Sequence, residues 1–226
     1  MGAQTAIIAR NNPGTFITSI DLSVDSLAQA RERMSDEGIR NVTFQRADIF
    51  DLPFEPESFD HVLVCFVLEH LPQPLKALLC LKAVLKPRGT ITVIEGDHGS
   101  ACFYPESPHA RRAIQCLIDL QARSGGNSLI GRQLYPLLTA SGFKEVRVSP
   151  RMVYADASRP EMVEGFTKKT FAAMVEGVGE QAIVLGMIGR DEWRKGIEAL
   201  DRTAEKDGTF CYTFFKATGV NRPGRS

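Results

Sequence analysis

Residues 16–21 read FITSID, a short apolar run that ends in an acidic residue, Asp21. Residues 42–48 read VTFQRAD and repeat the arrangement, with Asp48 at the end. In a doubly wound α/β sheet, the carboxyl ends of neighbouring parallel strands meet at the crevice where a ligand binds. One carboxylate there can accept hydrogen bonds from a ribose diol, and a second, one strand over, can accept from the amino group of a base. The two runs therefore predict a nucleoside site.

The segments around these two strands predict an alternation of strands and helices. A run at 60–67, DHVLVCFV, is nearly continuous in its apolar character, as strands buried on both faces are. Helices are expected after Ser23, which can cap a helix N-terminus, and after Pro74, with a further strand at 90–95. Short connections between such elements favour a parallel sheet covered by helices on both sides. The sequence therefore predicts a doubly wound α/β fold.

Composition restricts the classes of partner and compartment. The chain has 226 residues with 27 basic and 27 acidic side chains, so its formal net charge is zero. A balanced surface gives no reason to expect nucleic acid as the main partner. No apolar run reaches the roughly 18 residues that span a bilayer, and the N-terminus lacks the pattern of a signal peptide. We therefore expect a cytoplasmic protein that acts on neither nucleic acid nor membrane.

The cysteines give no sign of a metal site. There are five, scattered along the chain, with no CxxC motif and no zinc-ligand spacing to nearby histidines. This pattern favours small core residues in a reducing compartment. We expect no bound metal.

The chain begins with a helical pattern where a parallel α/β domain is expected to begin with a strand. Residues 1–5 lead directly into a helix at about 4–11, so we expect the first strand to be missing and Gly2 to be the last glycine of a Gly-rich loop. We interpret residues 1–226 as a single domain. Within it, residues 97–127 are expected to form a lid or insertion, and residues 160–206 a helical segment before the last strand.

Six features, in this order along the chain, resemble those of the class I S-adenosylmethionine-dependent methyltransferases. They are Gly2, Asp21, Asp48, FVLEHL at 66–71, LKPRG at 85–89 and a late strand at 209–217. The FVLEHL and LKPRG motifs, taken together, are typical of the small-molecule branch of the family. The resemblance implies a Rossmann-like, mostly parallel sheet with a late antiparallel strand, and S-adenosylmethionine as cofactor.

The resemblance also implies roles for individual residues. Gly2 would let the loop pass under the methionine moiety, and the helix N-terminus near Gln4 and Thr5 would offer N–H groups to its carboxylate. Asp21 matches the acidic residue that binds the ribose hydroxyls, and Asp48 matches the contact to the adenine amino group. The implied cofactor-binding set is completed by Leu22, Ile49, Phe66 and Val67.

Catalytic residues are harder to assign. Methyl transfer from a sulfonium is an in-line displacement with an activated leaving group, so positioning supplies much of the acceleration. A general base is needed only for an acceptor that must lose a proton early. Because residues after the strand at 90–95 are expected to line the acceptor pocket, His98 and Asp97 are candidates to orient or deprotonate the acceptor, and His70 is a third. We expect that acceptor to be a small organic molecule.

Two other functions stay open at this stage. The spacing from Gly2 to Asp21 is close to the roughly 20 residues of a nicotinamide-dinucleotide fingerprint, which would indicate a nicotinamide-dependent oxidoreductase. A methyltransferase-like chain without a first strand could also be a catalytically silent subunit that binds a partner. The segment at 160–206 could shape the acceptor pocket or form the interface of a homodimer.

Overall fold

The computed structural model describes residues 1–222. Two compact units are present, one at Met1–Glu55 and one that begins at Pro56. The interpretation of the whole chain as a single domain stays a prediction, as does the role of residues 97–127 as a lid.

The first unit alternates helices and strands. Its elements are α1 (Ala3–Asn11), β1 (Ile17–Asp21), α2 (Val24–Asp36) and β2 (Val42–Arg46). Strands β1 and β2 pair in parallel, and Asp21 lies opposite Arg46 in the register. The predicted helix and strands are therefore present, and both strands end at the same edge.

Helix α2 shows why this part of the sequence folds as predicted. Ser23 caps the helix, with its side-chain oxygen accepting a hydrogen bond from the Ser26 backbone N–H. Three apolar side chains at helical spacing are buried: Leu27, Ala30 and Met34. Gly38 follows the helix with a φ of 66°, a left-handed conformation that favours glycine.

The second unit contains the remaining elements. Its strands are β3 (Phe59–Cys65), β4 (Leu85–Gly96), β5 (Cys102–Tyr104), β6 (Lys144–Ala155) and β7 (Thr209–Val220). Its helices are α3 (Pro74–Val84), α4 (Pro108–Arg123), α5 (Leu134–Ala140), α6 (Pro160–Met162), a π-helix (Val163–Ala172), α7 (Ala173–Glu176), α8 (Gly179–Val184) and α9 (Arg190–Arg202).

The second sheet mixes the two strand directions. Its order is β3-β4-β7-β5, and β6 also pairs with β7. Strands β3 and β4 are parallel, whereas β7 runs antiparallel to β4, β5 and β6. The α/β fold and the late antiparallel strand are confirmed. Strand β5 was not expected, because its three residues pair with a segment more than a hundred positions later in the chain.

The core of the second unit is rich in aromatic side chains from β7 and the helices. The π-helix contributes Phe171, and β7 contributes Phe210 and Tyr212, all three buried. Along the π-helix and α7 the buried face carries Thr167, Phe171 and Val175. These three residues follow one another at intervals of four, so they lie on one face of the continuous helical segment.

The structure describes residues 1–222 of the chain. None of the helices in that range combines the length and the apolar character needed to traverse a bilayer.

Candidate functional site

Asp21 ends strand β1 with its side chain exposed. Its Oδ1 accepts a hydrogen bond of 2.8 Å from the Ser23 backbone N–H, which orients the carboxylate through a local turn. Leu22 follows with 58% of its surface exposed. An oriented carboxylate beside an exposed apolar side chain suits a ligand that presents both hydroxyls and a flat ring, as a nucleoside does.

Asp48 repeats this arrangement after the neighbouring strand. Its Oδ1 accepts a hydrogen bond of 2.9 Å from the Phe50 backbone N–H, and its backbone carbonyl accepts from Asp51 N–H. Asp48 and Ile49 are both half-buried. Because β1 and β2 are parallel neighbours, the structure brings the Asp21 and Asp48 segments to one edge of their sheet, as the sequence predicts.

Gly2 precedes α1 and has a φ of 77°, a left-handed conformation that favours glycine. A Cβ at this position would lie 2.9 Å from the Ala30 Cβ, so the residue also allows close packing of the chain against α2. Gln4 and Thr5 lie in the first turn of α1, where backbone N–H groups have no partner within the helix. These donors fit an anionic group such as a carboxylate.

Phe66 and Val67 follow strand β3 in the second unit. Phe66 has a φ of 56°, which is uncommon for a residue other than glycine. Its backbone N–H donates to the Ile94 carbonyl at 2.9 Å, and its ring lies 5.4 Å from that of Phe214. Val67 is more than a third exposed. The two residues are therefore held in a fixed loop at the strand end.

Glu95 holds this loop from the neighbouring strand. Its Oε1 accepts hydrogen bonds from the backbone N–H groups of Val67 and Leu68, at 3.0 and 2.9 Å. Its side chain has no exposed surface, and Oε2 has no hydrogen-bond partner among the described residues. Burial raises the pKa of Glu95 to about 7. Glu69 is also buried, and burial raises its pKa as well.

The three candidate catalytic residues lie in different environments. His70 is exposed, with its Nε2 3.5 Å from Glu69 Oε1. Asp97 is 2% exposed and accepts two hydrogen bonds from the Arg132 guanidinium, at 2.6 and 2.7 Å. Its Oδ1 also accepts from the Gly99 backbone N–H. Asp97 therefore has a defined structural partner for each oxygen.

His98 is enclosed by aromatic side chains. Its Nδ1 lies 2.8 Å from the Tyr212 hydroxyl, and its backbone N–H donates to the Ser128 carbonyl. The Phe171 ring meets the imidazole edge-on at 6.0 Å. Burial lowers the pKa of His98 to about 4, so the ring is neutral near pH 7. A neutral imidazole can accept a proton, but this one is already hydrogen-bonded inside the fold.

Three residues with clear contacts at this end of β4 were not among the predicted cofactor-binding or catalytic residues: Glu95, Arg132 and Tyr212. Glu95 carries the same signal as Asp21, an acidic residue at the end of an apolar strand. Gly96 is explained by Tyr212, because a Cβ at position 96 would collide with the Tyr212 hydroxyl. Arg132 and Tyr212 lie far along the chain from Asp97 and His98, so no local pattern links them.

Metal-binding side chains do not cluster in the part of the chain that the structure describes. Across residues 1–222, no group of three or more His, Cys, Asp and Glu residues could hold a metal ion.

Comparison with known proteins finds a family model that is similar to the first part of the chain. Residues 1–93 match the methyltransferase domain family. A relative from Streptomyces fradiae, an uncharacterized 37.1 kDa protein in transposon TN4556, is 32% identical over 168 residues, which is 74% of this chain and 47% of the relative. The demethylmenaquinone methyltransferase of Clavibacter sepedonicus is 37% identical over 94 residues, 42% of this chain and 38% of that enzyme. The chain thus spans less than half the length of these relatives.

The fold is shared with solved methyltransferase structures. The phosphoethanolamine N-methyltransferase 2 of Haemonchus contortus, in complex with phosphomonomethylethanolamine and S-adenosylhomocysteine, superposes with a TM-score of 0.56. The identity is 18%, and the match covers 95% of this chain and 46% of that one. At this identity the likeness concerns the fold. Residues 1–93 therefore match the methyltransferase domain family, and the α/β fold of the chain is similar to that of solved methyltransferase structures.

Proposed function

We propose that the protein transfers a methyl group from S-adenosylmethionine to a small organic acceptor. The observation that carries this proposal is the exposed, oriented carboxylate of Asp21 at the end of β1, one parallel strand from Asp48. Both lie within the segment that matches the methyltransferase domain family. Two acidic side chains in these positions suit the hydroxyl and amino groups of adenosine.

The residues of the first unit supply the proposed contacts to the nucleoside and the amino-acid part. Asp21 accepts hydrogen bonds from the ribose hydroxyls, and Asp48 accepts one from the adenine amino group. Leu22 and Ile49 offer apolar surface to the adenine ring. Backbone N–H groups at the start of α1, at Gln4 and Thr5 and next to Gly2, bind the methionine carboxylate.

When bound, S-adenosylmethionine supplies an electrophilic methyl group on a positively charged sulfur. Phe66 and Val67 are proposed to contact this methyl donor, as the family resemblance implies. Glu95 fixes the backbone at Val67 through its hydrogen bond, so these two residues keep one position during the reaction. Displacement at a sulfonium disperses charge, so apolar side chains that exclude water favour it.

The acceptor side of the reaction rests on fewer observations. Asp97, His98 and His70 stay candidates to orient or deprotonate the acceptor, but the first two are buried with partners of their own. A small-molecule acceptor fits the names of the relatives, which act on a demethylmenaquinone or a phosphoethanolamine. A cytoplasmic location, the absence of nucleic-acid substrates and a homodimer stay predictions.

The proposal is tested by calorimetric titration with S-adenosylhomocysteine. Asp21→Asn keeps an oxygen that can accept from Ser23 N–H but removes the negative charge. Charge-assisted hydrogen bonds contribute about 1.5 to 3 kcal/mol each, so we expect binding to weaken by about 100-fold. Asp25→Asn is the matched control, because Asp25 is also exposed and lies four residues later in the first turn of α2. Equal affinities of both variants and the wild type would contradict the proposed site.

Turnover is tested separately with labelled S-adenosylmethionine and pools of small organic acceptors. Transfer of label to an acceptor supports the enzyme. Tight S-adenosylhomocysteine binding without transfer in any pool would instead favour the silent subunit. Binding of a reduced nicotinamide dinucleotide in place of S-adenosylhomocysteine would favour the oxidoreductase.

A further inference from the structure

Two cysteines lie directly opposite each other on neighbouring antiparallel strands of the second unit. Cys102 begins β5, Cys211 lies near the start of β7, and the register pairs the two residues. The next pair along the strands, Phe103 and Phe210, stacks with ring centroids 6.3 Å apart and planes 3° apart. Neither cysteine is part of a disulfide. The structure therefore holds a cross-strand pair of thiols.

The geometry of such a pair suits a disulfide. Directly opposite residues on antiparallel strands have Cα atoms about 4.5 to 5.5 Å apart, and disulfides bridge Cα atoms about 4.4 to 6.8 Å apart. Paired residues also point to the same face of the sheet. Cys102 and Cys211 can thus be joined without a rearrangement of the strands.

The two thiols differ in access and in surroundings. Cys102 is exposed, whereas Cys211 is half-buried. The Arg111 guanidinium, which is paired with the Glu106 carboxylate, donates to the Ala101 carbonyl at 2.9 Å. Exposure makes the Cys102 sulfur the more accessible of the two to a disulfide in solution. Burial raises the pKa of the Cys211 thiol, and the Cys102 sulfur raises it further.

Two of the other cysteines are less suited to oxidation. Burial and the nearby Glu95 carboxyl raise the pKa of Cys65 to about 11. Cys116 is buried in helix α4, and burial raises its pKa as well. Cys65 lies opposite Ile94 in the strand register and Cys116 lies in a helix, so neither has a cysteine directly opposite it as Cys102 has.

We propose that Cys102 and Cys211 form an oxidisable dithiol, a modification site for small-molecule disulfides such as oxidised glutathione. The Cys102 thiolate attacks one sulfur of the glutathione disulfide, forms a mixed disulfide and releases one glutathione thiolate. The Cys211 thiolate then attacks the Cys102 sulfur and releases the second glutathione. The two protons of the cysteine thiols pass to the two glutathione thiolates, so one disulfide is reduced and one is formed.

The site has a defined structural consequence that does not depend on the proposed methyl transfer. Between β4 and β5, the Ser100 hydroxyl accepts a hydrogen bond from Thr213 N–H and donates one to the Asp97 carbonyl. A disulfide between Cys102 and Cys211 would therefore add a covalent link to β7 two residues after the Ser100 hydrogen bonds. Oxidation would lock the residues that follow His98 to the strand that carries Tyr212.

The experiment incubates the full chain in glutathione buffers of increasing oxidised fraction, blocks remaining thiols with N-ethylmaleimide and maps tryptic peptides. Cys102 lies in the peptide 89–111 and Cys211 in 207–216, and each peptide contains a single cysteine. We expect these two peptides to become joined, with a mass lower by two hydrogen atoms than their sum. The Cys102→Ser and Cys211→Ser variants should lose the joined peptide completely, and Cys80→Ser, a change in helix α3, should keep it.

The outcomes separate the proposal from its alternatives. In Cys211→Ser we expect a glutathione adduct to accumulate on Cys102, because the second thiol that releases it is absent. The proposal is overturned if peptides 89–111 and 207–216 are never joined, if Cys102 joins a different cysteine, or if the wild type retains the glutathione adduct.

Discussion

Acidic residues end strands in both units of the chain, but their surroundings differ. In the unit at Met1–Glu55, Asp21 and Asp48 each accept a hydrogen bond from a backbone N–H two residues later, and Asp21 is exposed. In the unit that begins at Pro56, Glu95 and Asp97 are buried and accept hydrogen bonds from loop backbone or from Arg132. A carboxylate at a strand end can thus be available to a ligand or can stabilise the fold through internal hydrogen bonds. Its degree of burial distinguishes the two cases.

The largest expected effect concerns the pH dependence contributed by Glu95. Its pKa is about 7 in the folded protein against an ordinary value of 4.5, so between these values the folded state holds a proton that the unfolded state has lost. This contribution is therefore fully present below pH 4.5 and is lost as the pH rises to 7. It amounts to about 3 kcal/mol. Glu95→Gln lacks this loss of stability. The difference in free energy of unfolding between Glu95→Gln and the wild type should therefore rise by about 3 kcal/mol from pH 4.5 to 7, measured by urea unfolding at a series of pH values.

His98 contributes a pH dependence of the free energy of unfolding with the opposite sign. Its pKa is about 4 in the folded protein against 6.5 ordinarily, so the unfolded state binds the extra proton between these values. Stability from His98 therefore increases from pH 4 to 6.5, again by about 3 kcal/mol. In the wild type the two slopes largely cancel between pH 4.5 and 6.5, and Glu95→Gln should expose the rise due to His98. A wild-type profile that rises as steeply as that of Glu95→Gln would show that Glu95 is less enclosed than the structure indicates, and a flat Glu95→Gln profile would contradict the burial of His98.

Much of the first unit could be predicted because its signals are local. The Ser23 cap, the buried face of α2 and the Gly38 stop all lie within one stretch, and both strand-end aspartates follow directly from the runs at 16–21 and 42–48. Strand β5 could not be predicted, because three residues acquire a strand conformation only through pairing with β7. For the same reason the partners of Asp97 and His98 were missed, and with them the burial of both candidate catalytic residues.

The next effect in size tests whether the Asp97 carboxylate stabilises the fold through its ion pair with Arg132. Arg132→Ala leaves a buried carboxylate without its cation, which destabilises proteins strongly. Because about half of the Arg132 side chain is exposed, water compensates in part, and we expect a loss of about 2 kcal/mol in the free energy of unfolding. Arg132→Lys keeps the charge but not the two parallel hydrogen bonds, so it should lose about half as much. Asp21→Asn should change stability by less than about 0.5 kcal/mol. Equal losses for Arg132→Ala and Asp21→Asn would remove the distinction between the two units.

The smallest expected effect concerns the hydrogen bond between His98 and Tyr212. Tyr212→Phe removes the hydroxyl that lies 2.8 Å from His98 Nδ1 but keeps the ring, whose centroid lies 4.8 Å from that of Phe214. The variant loses the buried hydroxyl together with its hydrogen bond to His98, so we expect about 1 kcal/mol less stability in urea unfolding. Tyr135→Phe is the matched control, because Tyr135 is 58% exposed in α5 and should show no change. If Tyr212→Phe and Tyr135→Phe were equally stable, the orientation of the His98 ring would not depend on the Tyr212 hydroxyl. The ring could then turn toward a methyl acceptor, which is the role that the sequence predicts for it. If only Tyr212→Phe is destabilised, His98 is fixed by the fold, and His70 is then the one exposed residue among the three candidates to orient or deprotonate an acceptor.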